Sequence, residues 1–357
     1  GVEVRSIIIG VSASRISSQI CEAHVPLHGQ AVNADHMGLA LRHACEKFWS
    51  EDHEILHAIP VAYYVDDSAV ITDPRGMYGQ ELRVTLHLIS SPVGPIRNLL
   101  ACVEQCHLVC DKLVVTPYAS ALSTLMQDEI DLGTLHLDMG GGTTSIAIFM
   151  EGKLVYVDTI AVGGHHVTTD IARILSTPIN DAERLKAIDG SVMPTELAGD
   201  APDTLREAMR MGRSDNITIP SLGSATTEIG GKTIERNLLS AIIRPRVEEI
   251  LELLQNRMAK ARMEHTAGSR FVLTGGASQL TGLADLFARQ SKKSIGIGKP
   301  IGVTGLDDNN SGPGYAACIG GLIHVSRLQD NDPDDRQTRT LPHGPFERIG
   351  AWLRDNL

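Results

Sequence analysis

The chain has 357 residues, of which 42% are hydrophobic and 21% are charged. This is the composition of an ordinary globular protein with room for two or more domains, and it excludes fibrous and wholly disordered proteins. The net charge of -11 argues against nucleic acid as a partner, because phosphate backbones are bound by basic patches. No apolar run approaches the ~20 residues that span a bilayer, and the N-terminus, which starts at Gly1 rather than Met, carries no signal peptide.

The six cysteines are spread thinly, which favours reduced thiols and a cytoplasmic protein. Cys102, Cys106 and Cys110 recur at every fourth residue beside His107 and would line one stripe of a helix. Because a second pair of ligands is missing, a packing face of small residues is favoured over a metal site, which stays the alternative.

The first third of the chain predicts a small α/β module. Residues 6–11 form a continuous apolar run, which is typical of a buried strand, and residues 32–49 carry apolar side chains at helical spacing. Residues 55–65 and 82–89 are typical of strands separated by a turn at 73–76. This part has no glycine cradle and no cluster of catalytic side chains, so we expect it to contact another protein. Three elements follow it: a helix over 92–109, a strand over 113–117 and a helix of small residues over 118–126.

The most specific stretch is a glycine triplet that follows a predicted strand. Glycines let backbone N–H groups surround an anion, and a neighbouring carboxylate suits a hydrated magnesium ion. A second strand rather than a helix comes next, which excludes a dinucleotide fingerprint, and the P-loop pattern occurs nowhere. A plain glycine-rich hairpin turn is the alternative. The predicted phosphate contacts are Asp138, with magnesium held through water, and Gly140, Gly141, Gly142, Thr143 and Thr144.

Gly163 and Gly164 open the next predicted helix, over 167–175. A helix start with two glycines would leave N–H donors free for an anion, so both residues are further candidates for phosphate contact. His165 and His166 are interpreted as exposed or capping residues in preference to metal ligands. Asp170 either assists the magnesium ion indirectly or stabilises the helix N-terminus.

Two more stretches complete the candidate site. In a predicted helix over 180–190, Glu183 and Lys186 are three residues apart, and spacing alone indicates an exposed ion pair. Further along, an amphipathic helix is predicted over 238–262. A buried strand then runs into two glycines and a helix, and residues without Cβ let the backbone approach a flat base. The candidates there are Gly275, Gly276, Ala277 and Gln279.

The C-terminal residues change character twice. Residues 327–344 have the acidic, apolar-poor composition of a disordered linker. In residues 345–357 apolar side chains return at helical spacing, which predicts an amphipathic helix lying in a membrane interface. A helix that docks in a protein groove is the alternative. The membrane-facing residues are predicted to be Phe346, Ile349, Trp352, Leu353 and Leu357.

The pattern Asp138-x-Gly-Gly-Gly-Thr143 resembles the second phosphate motif of the actin, sugar kinase and heat-shock chaperone superfamily, and the stretch around Gly275 resembles its adenosine motif. Residues 155–190, 271–283 and the last fourteen residues are more similar still to the FtsA family of bacterial cell division proteins. The resemblance implies an α/β, actin-like two-lobed ATPase fold with an inserted 1C (SHS2-like) subdomain. It also implies ATP and Mg²⁺ between the lobes, with Glu183 and Lys186 against the ribose.

The same resemblance implies an order of subdomains along the chain. In that order the segments are a remnant of 1A at 1–10, 1C at 11–90, 1A at 91–132, 2A at 133–165, 2B at 166–245, 2A at 246–326, the linker at 327–344 and the membrane helix at 345–357. The superfamily's first phosphate hairpin, in which a carboxylate precedes glycine and threonine or serine, has no counterpart upstream of Ser6. We therefore expect this chain to lack that hairpin and to be a nucleotide-binding protein with at most weak ATPase activity. No general base or nucleophile is identified.

The implied function is that of an ATP-binding cell division protein that links the FtsZ ring to the membrane. It would be peripheral on the cytoplasmic face of the inner membrane at the division septum. The implied partners are FtsZ, further copies of the chain, later divisome membrane proteins and membrane lipids. The alternatives are an actin-like pilus-assembly protein and a sugar kinase of the same superfamily.

Overall fold

The computed structural model describes residues 4–13, 15–48, 50–193, 216–219, 232–263, 270–307 and 309–331. The chain divides into two compact units. The first unit comprises Gly1–Gly133, Ile146–Thr159 and Ala317–Leu357, and the second comprises Thr134–Ser145 and Ile160–Ala316. Each unit is therefore assembled from separate stretches of sequence.

The inserted module of the first unit is a three-stranded antiparallel sheet covered by a helix. Strands β2 (Ser17–Pro26), β3 (His53–Val65) and β4 (Glu81–Pro92) are arranged in the order β2-β4-β3, and α1 (Ala34–Lys47) packs on the sheet. The side chain of Asn33 caps α1 by accepting a hydrogen bond from the amide of His36. Alternate residues of β4 and the small residues of α1 form the core: Leu82, Val84, Leu86, Ala40 and Ala44.

The sequence predicted α1, β3 and β4 with small differences at their ends but missed β2. Strand β2 alternates buried residues, such as Cys21, Ala23 and Val25, with exposed polar ones. This is the period of a half-buried strand, although its buried side chains are small. The strand that the sequence did predict at the N-terminus, β1 (Ser6–Val11), lies in another sheet.

Strand β1 pairs in parallel with β5 (Val109–Val115). The helix predicted over 92–109 is α2 (Val93–Gln105), which ends early because the chain enters β5 at Val109. The prediction of one helical cysteine stripe is therefore wrong: Cys102 lies in α2, Cys106 caps its end and Cys110 lies in β5.

Three more helices belong to this unit: α3 (Thr116–Thr124), α4 (Gln127–Leu132) and α9 (Ala316–Asn331), the last from Ala317 onward. Two of them, α3 and α9, pack against each other through small residues. A Cβ on Gly320 would lie 1.6 Å from the carbonyl oxygen of Ala119, so only glycine fits there. The helix of small residues that the sequence predicted over 118–126 corresponds to α3.

Helix α9 continues to Asn331, five residues into the stretch of 327–344 that was predicted to be a linker. The rest of that stretch and the predicted membrane helix at 345–357 lie outside the described residues. Among the helices that are described, none combines the length and hydrophobicity needed to cross a bilayer.

The second unit is organised on parallel strands. Strand β11 (Arg270–Thr274) lies between β12 (Ser294–Ile297) and β6 (Thr134–Met139), and both neighbours are parallel to it. The pairing of β11 with β6 sets Thr274 opposite Asp138, which brings the ends of the two glycine-bearing strands together. After β6 the chain forms β7 (Thr144–Met150) and β8 (Lys153–Ile160), which belong mostly to the first unit.

Four helices flank these strands: α5 (Gly164–Leu175), α6 (Ile179–Asp189), α7 (Arg236–Lys260) and α8 (Leu283–Ser291). Charged pairs join α7 to α5 and to α6. Arg246 of α7 makes two hydrogen bonds, of 2.7 and 3.2 Å, to Asp170 of α5, and Arg236 lies 2.7 Å from Asp189 of α6. Strand β9 (Asn216–Ile219) pairs antiparallel with β10 (Lys232–Glu235), beside long stretches outside the described residues.

Buried histidines lie at the junctions of the first unit. The ring nitrogen Nε2 of His57 accepts a hydrogen bond of 3.0 Å from the amide of Val115, and the ring lies edge-on to those of Tyr118 and His324. His87 accepts a hydrogen bond from the hydroxyl of Ser18 at 2.7 Å through Nε2 and donates to a backbone carbonyl through Nδ1. The contact of His57 needs a neutral imidazole, because its Nε2 must accept from an amide.

Burial lowers the pKa of His57 to about 3 and the pKa values of His87 and His324 to about 4. Unfolding returns each ring to its ordinary pKa near 6.5, so below that pH the unfolded chain binds protons that the folded chain does not. The contribution of these histidines to the free energy of unfolding is therefore greatest above pH 6.5, and it falls as the pH is lowered toward the folded pKa values.

We expect His57 to cost about 2 kcal/mol of stability between pH 7 and pH 5, measured by urea unfolding at each pH. The variant His57→Gln keeps an acceptor but cannot titrate, so its unfolding free energy should change with pH by about 2 kcal/mol less than that of the parent chain. An identical pH dependence in the two proteins would contradict this explanation.

Candidate functional site

The glycine turn between β6 and β7 presents bare backbone to solvent. The amide of Gly140 donates to the carbonyl of Thr143 at 2.9 Å, which closes the turn. Gly141 and Gly142 are exposed, and a Cβ on either would meet no atom within 4 Å. Neither amide has a hydrogen-bond partner within the described part of the chain. The turn can therefore offer N–H donors to an anion, and the phosphate contact itself stays a prediction.

The start of α5 packs directly on this turn. The amide of Gly164 donates to the carbonyl of Gly140 at 2.9 Å, and the amide of His165 donates to that of Gly141 at 2.7 Å. The amide of Gly163 donates to Nδ1 of His166 at 3.2 Å. The prediction that Gly163 and Gly164 leave their N–H donors free for an anion is therefore wrong, because these donors are used within the protein.

The two glycines instead permit a close approach of two backbone segments. A Cβ on Gly163 would lie 2.6 Å from the carbonyl oxygen of Gly140 and 2.7 Å from that of Gly141. Real Cβ atoms do not come so close to a carbonyl oxygen, so any other residue would push α5 away from the turn. His166 supports the same contact as a cap and His165 is exposed, which agrees with the interpretation of the pair as exposed or capping residues.

The second pair of glycines lies beside the acid of the first motif. Gly275 has a φ of +84°, and a Cβ there would lie 2.5 Å from Oδ1 of Asp138. Its amide donates to the carbonyl of Pro313 at 3.1 Å, which fixes the end of β11. A Cβ on Gly276 would meet no atom within 4 Å. The helix predicted directly after the glycines is only the short 3₁₀ helix Gly276–Gln279, and α8 begins later.

Glu183 and Lys186 form a tighter arrangement than the predicted exposed ion pair. The ammonium of Lys186, whose side chain is 14% exposed, donates to Oε2 of Glu183 at 2.8 Å, to Oγ1 of Thr168 at 2.9 Å and to the carbonyl of Gly164 at 3.1 Å. Burial acts to raise the pKa of Glu183, but hydrogen bonds from Lys186 and Thr168 outweigh it and lower that pKa. The carboxylate is therefore ionised and held on one of its oxygens.

These groups line a cavity of about 420 Å³ within the second unit. That volume lies within the range of small-molecule sites. It brings together the following predicted residues: Gly140, Gly141, Gly164, Glu183, Lys186, Gly276, Ala277 and Gln279. The sequence did not predict the mostly apolar remainder of the wall, which consists of Met139, Val167, Ala187, Gly190, Val247, Ile250, Leu280, Thr281 and Leu283. The lining thus combines exposed backbone with apolar side chains that suit a ring.

Six predicted residues do not line this cavity: Asp138, Gly142, Thr143, Thr144, Gly163 and Gly275. Thr144 is buried, and its hydroxyl donates to the carbonyl of Val162 at 2.8 Å, so its observed contact is within the protein. Asp170 is paired with Arg246, which leaves no support for a role near magnesium. Within the described residues no three His, Cys, Asp or Glu side chains are grouped to hold a metal ion.

Two family profiles match the chain. The profile "SHS2 domain inserted in FTSA" matches residues 13–90, which contain the three-stranded module, and the profile "Cell division protein FtsA" matches residues 135–320, which contain both glycine motifs. The chain belongs to the FtsA family of cell division proteins. The predicted resemblance is thereby confirmed.

Relatives by sequence support the same assignment over the whole length. The chain is 38% identical to the cell division protein FtsA of Rhizobium meliloti (strain 1021), covering 100% of this chain and 78% of the relative. It is 29% identical to the FtsA of Escherichia coli (strain K12), covering 99% of this chain and 82% of the relative.

Solved structures with a similar fold are actin-like proteins. The PilM-PilN type IV pilus biogenesis complex matches with a TM-score of 0.54 at 17% identity, covering 86% of this chain and 76% of the other. MreB 5 of Spiroplasma citri bound to AMPPNP matches with a TM-score of 0.50 at 18% identity, covering 68% and 67%. Together with the inserted SHS2 domain, these matches confirm the predicted actin-like α/β fold.

The contact between α5 and the glycine turn can be tested by adding a methyl group. Gly163→Ala should lower the free energy of unfolding by about 1–3 kcal/mol, because the new Cβ overlaps two carbonyl oxygens. Gly142→Ala is the matched control, since its Cβ meets no atom within 4 Å, and its effect should stay within about 0.5 kcal/mol. Denaturant unfolding of the three proteins measures both. Equal stability of Gly163→Ala and the parent would refute the proposed close approach.

Proposed function

We propose that this member of the FtsA family binds ATP with magnesium in the cavity of the second unit and anchors a division filament to the membrane. The observation that supports nucleotide binding best is that the Gly140–Gly142 turn and Gly276 line, or adjoin, one cavity, although they are some 130 residues apart in sequence. Both present backbone without Cβ to open space. Such a surface suits a phosphate chain at one end and a flat base at the other.

The residues present fit the proposed nucleotide. The amides of Gly141 and Gly142 would bind phosphate oxygens, and Thr143 lies in the same turn. Asp138, at the end of β6, would hold a magnesium-bound water, and the bound ion would neutralise phosphate charge. Glu183 would accept from the ribose hydroxyls, while the base would lie against Gly276, Ala277, Gln279 and the apolar wall. Lys186 contributes through Glu183, because the ammonium already donates three hydrogen bonds within the protein.

The proposed role in the cell rests on family membership and on the C-terminal sequence. In this proposal the chain links the FtsZ ring to the cytoplasmic face of the inner membrane at the septum and recruits later divisome proteins. The amphipathic pattern of residues 345–357 would place Phe346, Trp352 and Leu353 in the lipid interface. One such helix binds weakly, so assembly of several copies would supply the avidity. The inserted module would take the place of subdomain 1C, and the region around β9 and β10 that of 2B.

The alternatives from the sequence lack comparable support. The similarity to the pilus complex is a likeness of fold at 17% identity, whereas the relatives by sequence are cell division proteins over the whole chain. A sugar kinase would need a sugar cleft with a catalytic acid, and none is identified among the residues that the structure describes.

Nucleotide binding is tested by isothermal titration calorimetry with ATP and MgCl₂. We expect Gly276→Val to abolish measurable binding, because its side chain would project into the cavity and occupy the proposed base site. Gly94→Ala is the control, since a Cβ at this position in α2 of the first unit meets no atom within 4 Å. Unchanged affinity in Gly276→Val would refute the proposed site.

Membrane binding is tested by co-sedimentation with vesicles of anionic and zwitterionic phospholipid, in the presence of ATP. The full chain should pellet with vesicles, and a chain without residues 345–357 should stay in the supernatant. Trp352→Glu should reduce pelleting at least several-fold, because a charged side chain would replace an aromatic one in the interface. Asp355→Asn, on the polar side of the predicted helix, should not reduce it. Equal pelleting of the full and shortened chains would exclude a membrane anchor at this terminus.

A further inference from the structure

Thr168 is a fully buried polar residue directly behind the predicted ribose contact. It lies in the second turn of α5 and is 1% exposed. Its side chain does not line the cavity. Its hydroxyl oxygen nevertheless contacts both members of the acid–lysine pair, since Lys186 donates to it at 2.9 Å and it donates to Oε2 of Glu183. It also lies 3.1 Å from the carbonyl of Gly164.

Thr168, Lys186 and Glu183 form a small hydrogen-bond network in which each available proton has an acceptor. The ammonium of Lys186 has three N–H donors, and its three acceptors are Thr168, Glu183 and the carbonyl of Gly164. The hydroxyl of Thr168 accepts from Lys186 and has one proton, for which Oε2 of Glu183 is the nearer acceptor and the carbonyl of Gly164, at 3.1 Å, is the farther one. Oε2 of Glu183 therefore receives two hydrogen bonds from the protein. No hydrogen bond to the second oxygen, Oε1, is found among the described residues, so Oε1 can accept from another donor.

The two donors fix the orientation of the carboxylate. The Glu183 side chain is 53% exposed, so most of its surface has no packing that would hold it in one rotamer. A carboxylate that is held on one oxygen by Lys186 alone could rotate about that contact. A second donor at the same oxygen, from the buried Thr168, restricts this rotation and aims Oε1 in one direction.

We propose that Thr168 is a positioning residue for ribose recognition: it holds Glu183 so that Oε1 accepts from the ribose hydroxyls of a bound nucleotide. This inference rests on the proposed nucleotide binding. Thr168 itself does not touch the nucleotide and acts through Glu183. A bound ATP therefore gains affinity from a hydroxyl group that lies outside the cavity.

A plainer explanation exists and predicts a different result. Threonine within a helix commonly donates to the carbonyl four residues before it, which here is Gly164. If this were its only role, removing the hydroxyl would change the stability of α5 and would affect every nucleotide equally. If Thr168 acts through Glu183, only nucleotides that have ribose hydroxyls should respond.

The experiment compares ATP with 2′,3′-dideoxy-ATP on the same proteins, each with MgCl₂, by calorimetry. Thr168→Val, which is nearly isosteric, should weaken ATP binding about tenfold, the effect of one well-placed hydrogen bond, and change dideoxy-ATP binding less than twofold. Thr168→Ser restores the hydroxyl and should bind both nucleotides like the parent. In a Glu183→Gln background, Thr168→Val should no longer change the ratio of the two affinities.

The outcomes are distinguishable. If Thr168→Val weakens both nucleotides equally, or neither, the positioning role is wrong while nucleotide binding stands. If the parent chain binds neither nucleotide, the proposed function itself is wrong and the inference falls with it. Should Thr168→Val fail to fold, as judged by circular dichroism, Thr168→Ala is measured in its place against Thr168→Ser under the same criteria.

Discussion

The second unit depends on one close approach of backbone to backbone. The carbonyls of Gly140 and Gly141 accept the first amides of α5, and Gly163 has no side chain to keep the segments apart. A turn of three glycines would otherwise have wide conformational freedom. Because its carbonyls are held by a helix start, its remaining amides point in defined directions, and a flexible sequence becomes a pre-organised surface.

The acid–lysine pair extends the same principle to side chains. Lys186 donates to the carbonyl of Gly164, so the ammonium is joined to the helix start that supports the glycine turn. Thr168 and Glu183 are connected to it in turn. The groups proposed to contact phosphate and ribose are thus linked through the first two turns of α5, so a shift of these turns would move both.

The sequence predicted what depends on local chemistry and missed what depends on packing. Glycine spacing identified both turns, and periodicity identified most helices and strands, because those signals are carried by neighbouring residues. Val247 and Ile250 lie in the amphipathic helix predicted over 238–262, but periodicity does not distinguish a residue of the core from one that lines a cavity. The amides of Gly163 and Gly164 were assigned to an anion because their partners, Nδ1 of His166 and the carbonyl of Gly140, are identified only in the fold. The proposed role of Thr168 could not be predicted from the sequence, because it depends on contacts with Glu183 and Lys186 on another helix.

The order of the segments also constrains how the protein can form. The contact of Gly320 with Ala119 joins helices some 200 residues apart in sequence, and both belong to the first unit. During synthesis, therefore, α3 cannot pack against α9 until some 200 further residues have been made, among them the second unit. Such long-range closure slows folding and leaves apolar helix faces uncovered in the nascent chain, where chaperones would have the greatest opportunity to act.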